Sequence, residues 1–385
     1  MQSLYRRPLP PTLVAFASAE GRAMFDAARA EGGMEAFFPL IEQFHTQAEP
    51  AFCGLGTLVV ALNALGVDPG RLWKGPWRWF SEELLDCCSP LERVRTQGIT
   101  LDEFACLARC NGANAEVFRP DTCSLADLRA AITTAARSAV DPAMIVSYDR
   151  RTLGQTGEGH FSPVGGYHAS SDHVLILDVA RFKYPPHWVP LPALYSAMQP
   201  ADAATARPRG WVALRRSSRP ASLLFTARCV GDGGFAAFSD ALERLTAALV
   251  VAASMTGADL RSVLSGMFTV VAADFTLVIE QRSLALTEHA AAAEALLAAL
   301  RTTPVFTIVA DLVPSSWPPE AATLLVLALP RELWSPMPDA MRAAWLAMLD
   351  PEQLPPPVRL ESDHIHRQLA DLCTLSPTRG CARCA

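Results

Sequence analysis

The sequence predicts a domain of the α+β class followed by a second, mostly helical domain. Segments with helical periodicity come first, between residues 18 and 134, and segments typical of strands follow between residues 143 and 214. Helices that precede a group of strands, instead of alternating with them, favour α+β over α/β. Beyond residue 220 the chain is rich in Ala and Leu, which favours helices.

Five helices are predicted in the first domain. The clearest lies at 54–65, where Leu55, Leu58 and Leu62 recur at helical spacing. Ser18 has the side chain expected of an N-cap, and Gly32-Gly33 is a stop signal for the helix that Ser18 begins. The predicted helices are 18–29, 54–65, 82–87, 101–110 and 125–134.

Four strands follow the helices, and the third is almost continuously apolar, as in a buried strand. A turn at Ser170-Ser171-Asp172 is predicted to join the second and third as an antiparallel pair. A polar connector ends at Pro220 and separates a first domain, 1–217, from a second, 221–385, that has a long helix at 286–300. The predicted strands are 143–148, 159–167, 174–179 and 211–214.

Composition sets broad limits on function. With 385 residues, of which 50% are hydrophobic and 19% charged, the chain has enough apolar side chains for two cores. A formal net charge of -6 argues against a general nucleic-acid binder. We expect neither a secretory leader nor a membrane span, since no apolar run of the required length follows the basic start or occurs elsewhere. The expected location is the cytoplasm, where the ten cysteines are thiols, metal ligands or nucleophiles.

Cys53 is the first candidate catalytic residue. It lies at the N-terminus of the predicted helix 54–65, where unpaired N–H groups and the helix dipole favour an anion, so we expect its pKa to be lowered. Gln47 lies six residues upstream. Its amide and the Cys53 N–H are candidate donors to a developing oxyanion.

A nucleophilic thiol needs a base, and the base needs an orienting partner. His160 lies on the second predicted strand and Asp178 on the third, so antiparallel pairing brings them together. The chain order Cys, His, Asp and the upstream Gln match papain-like cysteine peptidases. The first domain is therefore predicted to have a papain-like fold.

Five segments give the sequence a closer resemblance, to the phytochelatin synthases (glutathione γ-glutamylcysteinyltransferases). The resemblance covers about residues 1–217 and fades after about residue 280, in a region whose regulatory or metal-sensing role is left open. The segments are 47–54, 63–80 with WKGPWRWF, 85–88, 155–163 and 176–190 with ILDVARFKYPPHWVP.

The resemblance implies a transpeptidase whose substrates are glutathione and phytochelatin peptides. Such an enzyme releases glycine from glutathione and holds γ-glutamylcysteine on Cys53 as a thioester. It then transfers this acyl group to a second glutathione or to a growing phytochelatin chain. Cys53, His160 and Asp178 fall on the family's triad, and Gln47 on its oxyanion donor.

The resemblance also implies substrate-binding residues. Asp202 and Arg209 fall on positions that hold the γ-glutamyl end of the donor, with Gly159 beside the triad. The candidates for the acceptor substrate are Arg181, Lys183, Tyr184 and Arg150.

No organic cofactor is implied. We expect a heavy-metal ion, cadmium or zinc, to act as activator through its glutathione thiolate complex, since soft cations bind thiolates. On the protein, Cys381 and Cys384 form a CxxC pair that supplies two of the four ligands of a closed site. The sequence leaves open which metal is preferred and whether the protein forms a homodimer. It also leaves open whether four further cysteines contact metal: Cys87, Cys88, Cys106 and Cys110.

Two alternatives remain at this level. A glutathione hydrolase has the same fold and passes the acyl group to water. A non-catalytic sensor has the same fold and binds metal thiolates without catalysing a reaction. The complete set of Cys53, His160 and Asp178 argues against this alternative.

Overall fold

The computed structural model describes residues 5–86, 90–218, 224–229, 234–254, 259–274, 277–281, 287–315 and 317–374. The chain forms two compact units, with the division between Arg219 and Pro220. Two short segments, Gly70–Leu72 and Asp86–Pro90, group with the second unit.

The first unit combines seven helices with one sheet among its described residues. The helices are α1 (Ala19–Ala30), α2 (Phe37–Gln43), α3 (Cys53–Ala64), α4 (Leu91–Gln97), α5 (Leu101–Cys110), α6 (Leu125–Ala136) and α7 (Leu191–Met198). The strands are β1 (Val14–Ala15), β2 (Ala113–Phe118), β3 (Ala143–Asp149), β4 (Gly159–His168), β5 (His173–Ile176), β6 (His187–Pro190) and β7 (Gly210–Arg216). Every paired neighbour in the order β1-β6-β5-β4-β3-β7-β2 is antiparallel. Helices with an antiparallel sheet confirm the α+β class.

Local capping signals account for the helices that the sequence predicts well. Ser18 accepts a hydrogen bond from the Gly21 N–H and begins α1. Thr100 and Ser124 each form a capping box, so α5 and α6 begin where predicted. Within the described part of the predicted helix 82–87, residues 82–86, the only helical element is one 3₁₀ turn, Glu82–Leu84, so the prediction is wrong there.

The predicted strand 174–179 is too long. The β5 strand ends at Ile176, and the Leu177 N–H donates to the Pro163 carbonyl outside the regular ladder. The register between β4 and β5 also shifts between Val164 and Gly166. Asp178 therefore lies just past the end of a strand, where its side chain does not have to follow the alternation of side chains between the two faces of the sheet.

The central strands of the sheet are buried on both faces. Along β5, Val174 and Ile176 belong to one apolar cluster, whereas Leu175 belongs to a second cluster with Val60 of α3. Burial on both faces explains why this segment is almost continuously apolar. The α3 helix is also held to β4 directly, because the Thr57 hydroxyl donates to the Phe161 carbonyl at 3.1 Å.

The second unit is mostly helical, as predicted. Its helices are α8 (Gly234–Ala253), α9 (Leu260–Asp274), α10 (Thr287–Arg301), α11 (Pro304–Ala310), α12 (Pro319–Ala328), α13 (Asp339–Met348) and α14 (Pro356–Thr374). Two strands, β8 (Phe225–Cys229) and β9 (Leu277–Gln281), pair antiparallel. Over the described residues, no single helix combines the length and apolarity of a membrane span, although Ala290–Arg301 and Pro304–Ala310 meet that test together across a bend of 81°.

Candidate active site

Cys53 is the first residue of α3 and opens onto a cleft of about 460 Å³ in the first unit. The cleft is bounded by the ends of β3 and β4 and by the segment that follows β5. His160, Arg150, Lys183 and Arg209 line the same cleft, so the structure brings the principal sequence candidates together.

The environment of the Cys53 thiol corrects one expectation. Burial raises the pKa of Cys53, although backbone hydrogen bonding from Phe161 and Gly54 and the charge of Arg150 act in the opposite direction. The helix N-terminus therefore does not produce a thiolate in the resting site. The thiol needs a base to remove its proton.

His160 is buried at the start of β4, with its Nε2 atom 2.9 Å from Oδ1 of Asp178. Tyr148, its cross-strand partner, packs edge-on against the imidazole with ring centroids 5.7 Å apart. Because Nε2 is used by Asp178, Nδ1 is the nitrogen that remains for proton exchange in the cleft. Burial and the charge of Arg150 lower the pKa of His160 to about 4, against the raising effect of Asp178.

Asp178 is fully buried and is shared between a base and a cation. Nη2 of Arg150 donates to both carboxylate oxygens, at 2.9 and 2.7 Å. Burial by itself raises the pKa of Asp178, but the interactions with His160 and Arg150 outweigh it and hold the pKa well below the usual range. Asp178 is therefore an anion at every pH relevant to catalysis.

Two acceptor candidates, Arg150 and Tyr184, have buried side chains that are held by other residues of the site. Arg150 is buried, and its guanidinium is used by Asp178 and by Oε1 of Gln155, 2.7 Å from Nη1. Tyr184 is buried with its ring 5.1 Å from the Arg150 guanidinium carbon. Its hydroxyl accepts a hydrogen bond from the Thr156 N–H at 2.8 Å. Arg150 nevertheless lines the cleft, so contact of Arg150 or Tyr184 with an acceptor stays a prediction.

The other two acceptor candidates differ in accessibility. Lys183 lines the cleft, and burial followed by the charge of Arg150 lowers its pKa. Arg181 is exposed and lies over the ring of Phe44 at 5.2 Å. It is not among the described residues that line the cleft.

Gln47 is buried upstream of α3, and both of its amide N–H groups have partners. Nε2 donates to the carbonyls of Glu49 and Pro50 at 2.8 and 2.9 Å. A role as oxyanion donor stays a prediction and requires one of these bonds to be exchanged. The segment is fixed by the buried Glu82, whose Oε1 accepts from the Ala48 N–H at 3.1 Å.

Arg209 provides a guanidinium edge that fits a carboxylate. Nη1 donates to the Pro200 carbonyl at 3.0 Å, and Nη2 lies 3.5 Å from the Asp202 carboxylate. Nε is buried and has no hydrogen-bond partner among the described residues. A Cβ on Gly159 would lie 3.1 Å from Nη2 and 3.2 Å from Nε, so the absence of a side chain there keeps this edge accessible. Paired N–H groups of this kind bind carboxylates in a bidentate manner.

The described residues contain no metal-binding cluster. Within the described ranges, no group of three or more His, Cys, Asp or Glu is arranged to hold an ion. Cys106 and Cys110 are buried in α5. The remaining candidates lie outside the described residues: Cys87, Cys88, Cys381 and Cys384.

Part of the cleft was not predicted from the sequence. The end of α4 and the turn after it, Thr96 to Ile99, form one wall, and Ile99 occupies the space beside Gly54. Gly98 has a φ of 70°, which is a weak sequence signal for a turn. No charged or nucleophilic residue marks this segment as part of a site.

The fold and the cleft define a class of protein: an α+β domain that presents a thiol, an imidazole paired with a carboxylate, and a guanidinium edge in one place. This is the arrangement typical of cysteine-dependent acyl transfer. The family model for phytochelatin synthase matches residues 4–211, more than half of the chain. The chain therefore belongs to the phytochelatin synthase family.

Curated relatives carry a consistent name. The chain is 54% identical over 231 residues to glutathione gamma-glutamylcysteinyltransferase 3 of Lotus japonicus, covering 60% of this chain and 48% of the relative. It is 56% identical over 234 residues to glutathione gamma-glutamylcysteinyltransferase 1 of Triticum aestivum, with 60% and 46% covered. For glutathione gamma-glutamylcysteinyltransferase of Schizosaccharomyces pombe the identity is 48% over 233 residues, with 58% and 54% covered. The chain spans about half the length of the curated relatives it matches.

Proposed function

We propose that this protein is a glutathione γ-glutamylcysteinyltransferase that makes phytochelatins. The observation that carries the proposal is that Cys53 and the His160–Asp178 pair meet at one cleft, on the part of the chain that matches the family. The name of the relatives gives the acyl group and its donor.

The first half-reaction forms a thioester. Nδ1 of His160 takes the thiol proton of Cys53, and the sulfur attacks the carbonyl carbon of the cysteinyl–glycine bond of glutathione. The His160 imidazolium then gives its proton to the glycine nitrogen as the C–N bond breaks. Glycine leaves, and γ-glutamylcysteine remains on Sγ.

The second half-reaction restores the thiol. The α-amine of a second glutathione, or of a phytochelatin, attacks the thioester carbon while His160 takes a proton from the amine. The C–S bond breaks, a new amide forms, and the proton passes to Sγ of Cys53. The ionised Asp178 stabilises the imidazolium in both steps.

Donor recognition is assigned to Arg209 and Asp202. The γ-glutamyl group of glutathione has a free α-carboxylate and a free α-ammonium. The unpartnered Nε and the neighbouring Nη2 of Arg209 fit the carboxylate, and the Asp202 carboxylate fits the ammonium. Lys183 is the cleft cation assigned to the acceptor.

The oxyanion of each tetrahedral intermediate is assigned to the Cys53 N–H and the Gln47 amide. The N–H lies at the start of α3, where N–H groups have no partner within the helix. In the resting site both Gln47 N–H groups are bonded to carbonyls, so one must turn toward the substrate during acylation.

The heavy-metal ion is proposed as part of the substrate. A cadmium or zinc ion held by glutathione thiolates presents the acceptor in place of free glutathione. No organic cofactor is needed for either half-reaction. We also propose a papain-like fold, because the imidazole uses Nε2 for Asp178 and keeps Nδ1 for the thiol. The cytoplasm supplies the reducing conditions that this thiol requires.

The test is to incubate the protein with glutathione, with and without cadmium, and to measure protein and product masses. We expect an adduct of one γ-glutamylcysteinyl group on Cys53 and, with cadmium, a ladder of γ-glutamylcysteine repeats. Free γ-glutamylcysteine and glycine as the sole products would replace the transferase by a hydrolase. Absence of turnover and of adduct would contradict both enzymes.

A pair of variants locates the nucleophile. Cys53→Ser should form no thioester adduct. Cys123→Ser is the matched control, since Cys123 is a partly exposed thiol of the same unit that does not line the cleft. Its adduct should equal that of the unaltered protein, and an adduct surviving in Cys53→Ser would refute the assignment.

A further inference from the structure

A row of buried polar side chains extends behind Asp178, away from the thiol. Arg150 links Asp178 to Gln155, and Nε2 of Gln155 lies 3.0 Å from Nε2 of His187. His187 is fully buried, and Gln155 is 3% exposed. Buried polar groups are costly unless they are paired, so a complete row of this kind constrains every member.

The direction of each hydrogen bond in the row is determined. The Pro185 carbonyl can only accept, so Nδ1 of His187, 2.8 Å away, carries a proton and donates. Nε2 of the neutral ring is then an acceptor for the Gln155 amide nitrogen. The Gln155 oxygen therefore faces Arg150, whose Nη1 donates to it at 2.7 Å. Burial lowers the pKa of His187, which keeps its ring neutral.

This order of donors and acceptors fixes the orientation of the Arg150 guanidinium. With Nη1 on Gln155, its Nη2 reaches both oxygens of Asp178, and the ring of Tyr184 lies against the guanidinium at 5.1 Å. Arg150 also lines the cleft. Without the Gln155 oxygen, Nη1 would lose the acceptor that fixes the orientation of the guanidinium, and Nη2 alone would hold it to Asp178.

We propose that His187 is a positioning residue for the reaction: acting through Gln155, it holds Arg150 against Asp178 so that Asp178 presents Oδ1 to His160. His187 touches neither substrate nor thiol, and its effect passes through three side chains. This inference rests on the proposed function, because the step it affects is the acylation of Cys53.

Two substitutions of His187 separate positioning from simple packing. His187→Phe keeps a ring of similar shape and removes the acceptor for Gln155. His187→Gln places an amide oxygen the same number of bonds from the backbone as Nε2, and so restores that acceptor. His173→Phe is the matched control, because Nδ1 of His173 bonds a carbonyl two residues back, Ser171, at 2.7 Å, as in His187, but the ring is not connected to Asp178.

The measurement is the single-turnover rate of acylation of the full chain as a function of glutathione concentration, with the folded fraction measured alongside. For His187→Phe we expect the maximal rate to fall by about 10- to 100-fold, as for a misplaced catalytic group, with the half-saturating concentration unchanged. His187→Gln should recover most of the rate, and His173→Phe should retain all of it.

The possible results distinguish failure of the positioning role from failure of the proposed function. An unchanged rate in His187→Phe, or an equal loss in His187→Gln at equal folded fraction, would overturn the positioning role while leaving the proposed function intact. An unaltered protein that never acylates would overturn the proposed function itself. If His187→Phe does not fold, Gln155→Met removes the same link one residue nearer the site and should show the same loss of rate at constant half-saturation.

Discussion

Nε2 of His160 lies 2.9 Å from Oδ1 of Asp178. Both oxygens of the same carboxylate also accept hydrogen bonds from Nη2 of Arg150. The buried Asp178 carboxylate thus interacts with both the His160 imidazole and the Arg150 guanidinium. The cation keeps Asp178 ionised. Burial, followed by the charge of Arg150, lowers the pKa of His160 to about 4. These pKa shifts favour a neutral thiol and a neutral imidazole in the resting site.

Replacing Asp178 by Asn should impair acylation far more than folding. The Asn oxygen would turn to Arg150, and the amide N–H would then face Nε2 of His160. The proton of the imidazole would move to Nδ1, the atom that must accept the thiol proton. We expect Asp178→Asn to lower the single-turnover acylation rate by about 10² to 10⁴-fold, as the wrong tautomer does in related triads.

Asp172→Asn is the control for that substitution. Asp172 accepts hydrogen bonds from Arg129 and Tyr167 in the same unit and does not line the cleft. Its acylation rate should match that of the unaltered protein. A near-normal rate in Asp178→Asn would show that the tautomer of His160 does not depend on this carboxylate.

The pH dependence of alkylation reports the resting charge of Cys53. The thiolate is the reactive form, and burial raises the pKa of Cys53, while His160 is neutral above about pH 4. The rate of modification by iodoacetamide should therefore increase continuously with pH through 6, 7 and 8, about tenfold per pH step while the thiolate is the minor form. Mass-resolved alkylation of Cys53 measures this, and a fast plateau between about pH 5 and pH 7 would instead indicate a thiolate–imidazolium pair.

Glu82→Gln tests how the segment before α3 is held. Nε2 of His45 lies 3.2 Å from Oε1 of Glu82, and this hydrogen bond, together with the charge of Glu82, raises the pKa of His45 against the effect of burial. The pair stabilises the fold below the unfolded pKa of His, about 6.5, and this contribution is lost as pH rises through the folded pKa. A Gln oxygen still accepts from the Ala48 N–H but has no charge.

We therefore expect the His45 imidazole, followed by NMR, to titrate at lower pH in Glu82→Gln than in the unaltered protein. Glu92→Gln is the comparison, since Glu92 forms an exposed pair with Arg95 and makes no contact with His45 in the described structure. An unchanged His45 titration in Glu82→Gln would mean that the ion pair is not formed in solution.

Gly159→Ala tests the guanidinium edge of Arg209. The new Cβ would lie 3.1 and 3.2 Å from Nη2 and Nε, in the space assigned to the donor carboxylate. We expect the glutathione concentration for half-maximal acylation to increase by about 10-fold or more, because the loss of one charge-assisted hydrogen bond weakens binding by about that factor. Alkylation of Cys53 by iodoacetamide, which has no carboxylate, should be unaffected, and an unchanged glutathione dependence would remove Arg209 from the donor site.

Local signals predicted most of the catalytic unit. Side-chain caps such as Ser18 and Thr100 determine helix starts within a few residues, and the apolar run before Asp178 indicates its buried strand. The short elements β1, α2, α4, β2, β6 and α7 were not predicted. They are stabilised by tertiary packing, and their own periodicity is too brief to identify them.

The contacts that escaped prediction are those between residues far apart in the chain. Arg150 follows a strand directly, where an Arg usually faces solvent, and its carboxylate comes from 28 residues further along the chain. Gln155 and His187 lie in the segments 155–163 and 176–190 that carry the family resemblance, but nothing in the sequence indicates that their side chains meet. The expected lowering of the pKa of Cys53 failed for a related reason, because helix position is visible in the sequence and burial is not.

The hydrogen bond from Thr57 to the Phe161 carbonyl joins two segments 104 residues apart in the chain. It ties the helix that begins with Cys53 to the strand whose second residue is His160. Closing a loop of that length costs conformational entropy. Because Cys53 precedes His160 and Asp178 in the sequence, the thiol emerges from the ribosome before its proposed base, and an incomplete chain that ends before residue 160 has the thiol without that base.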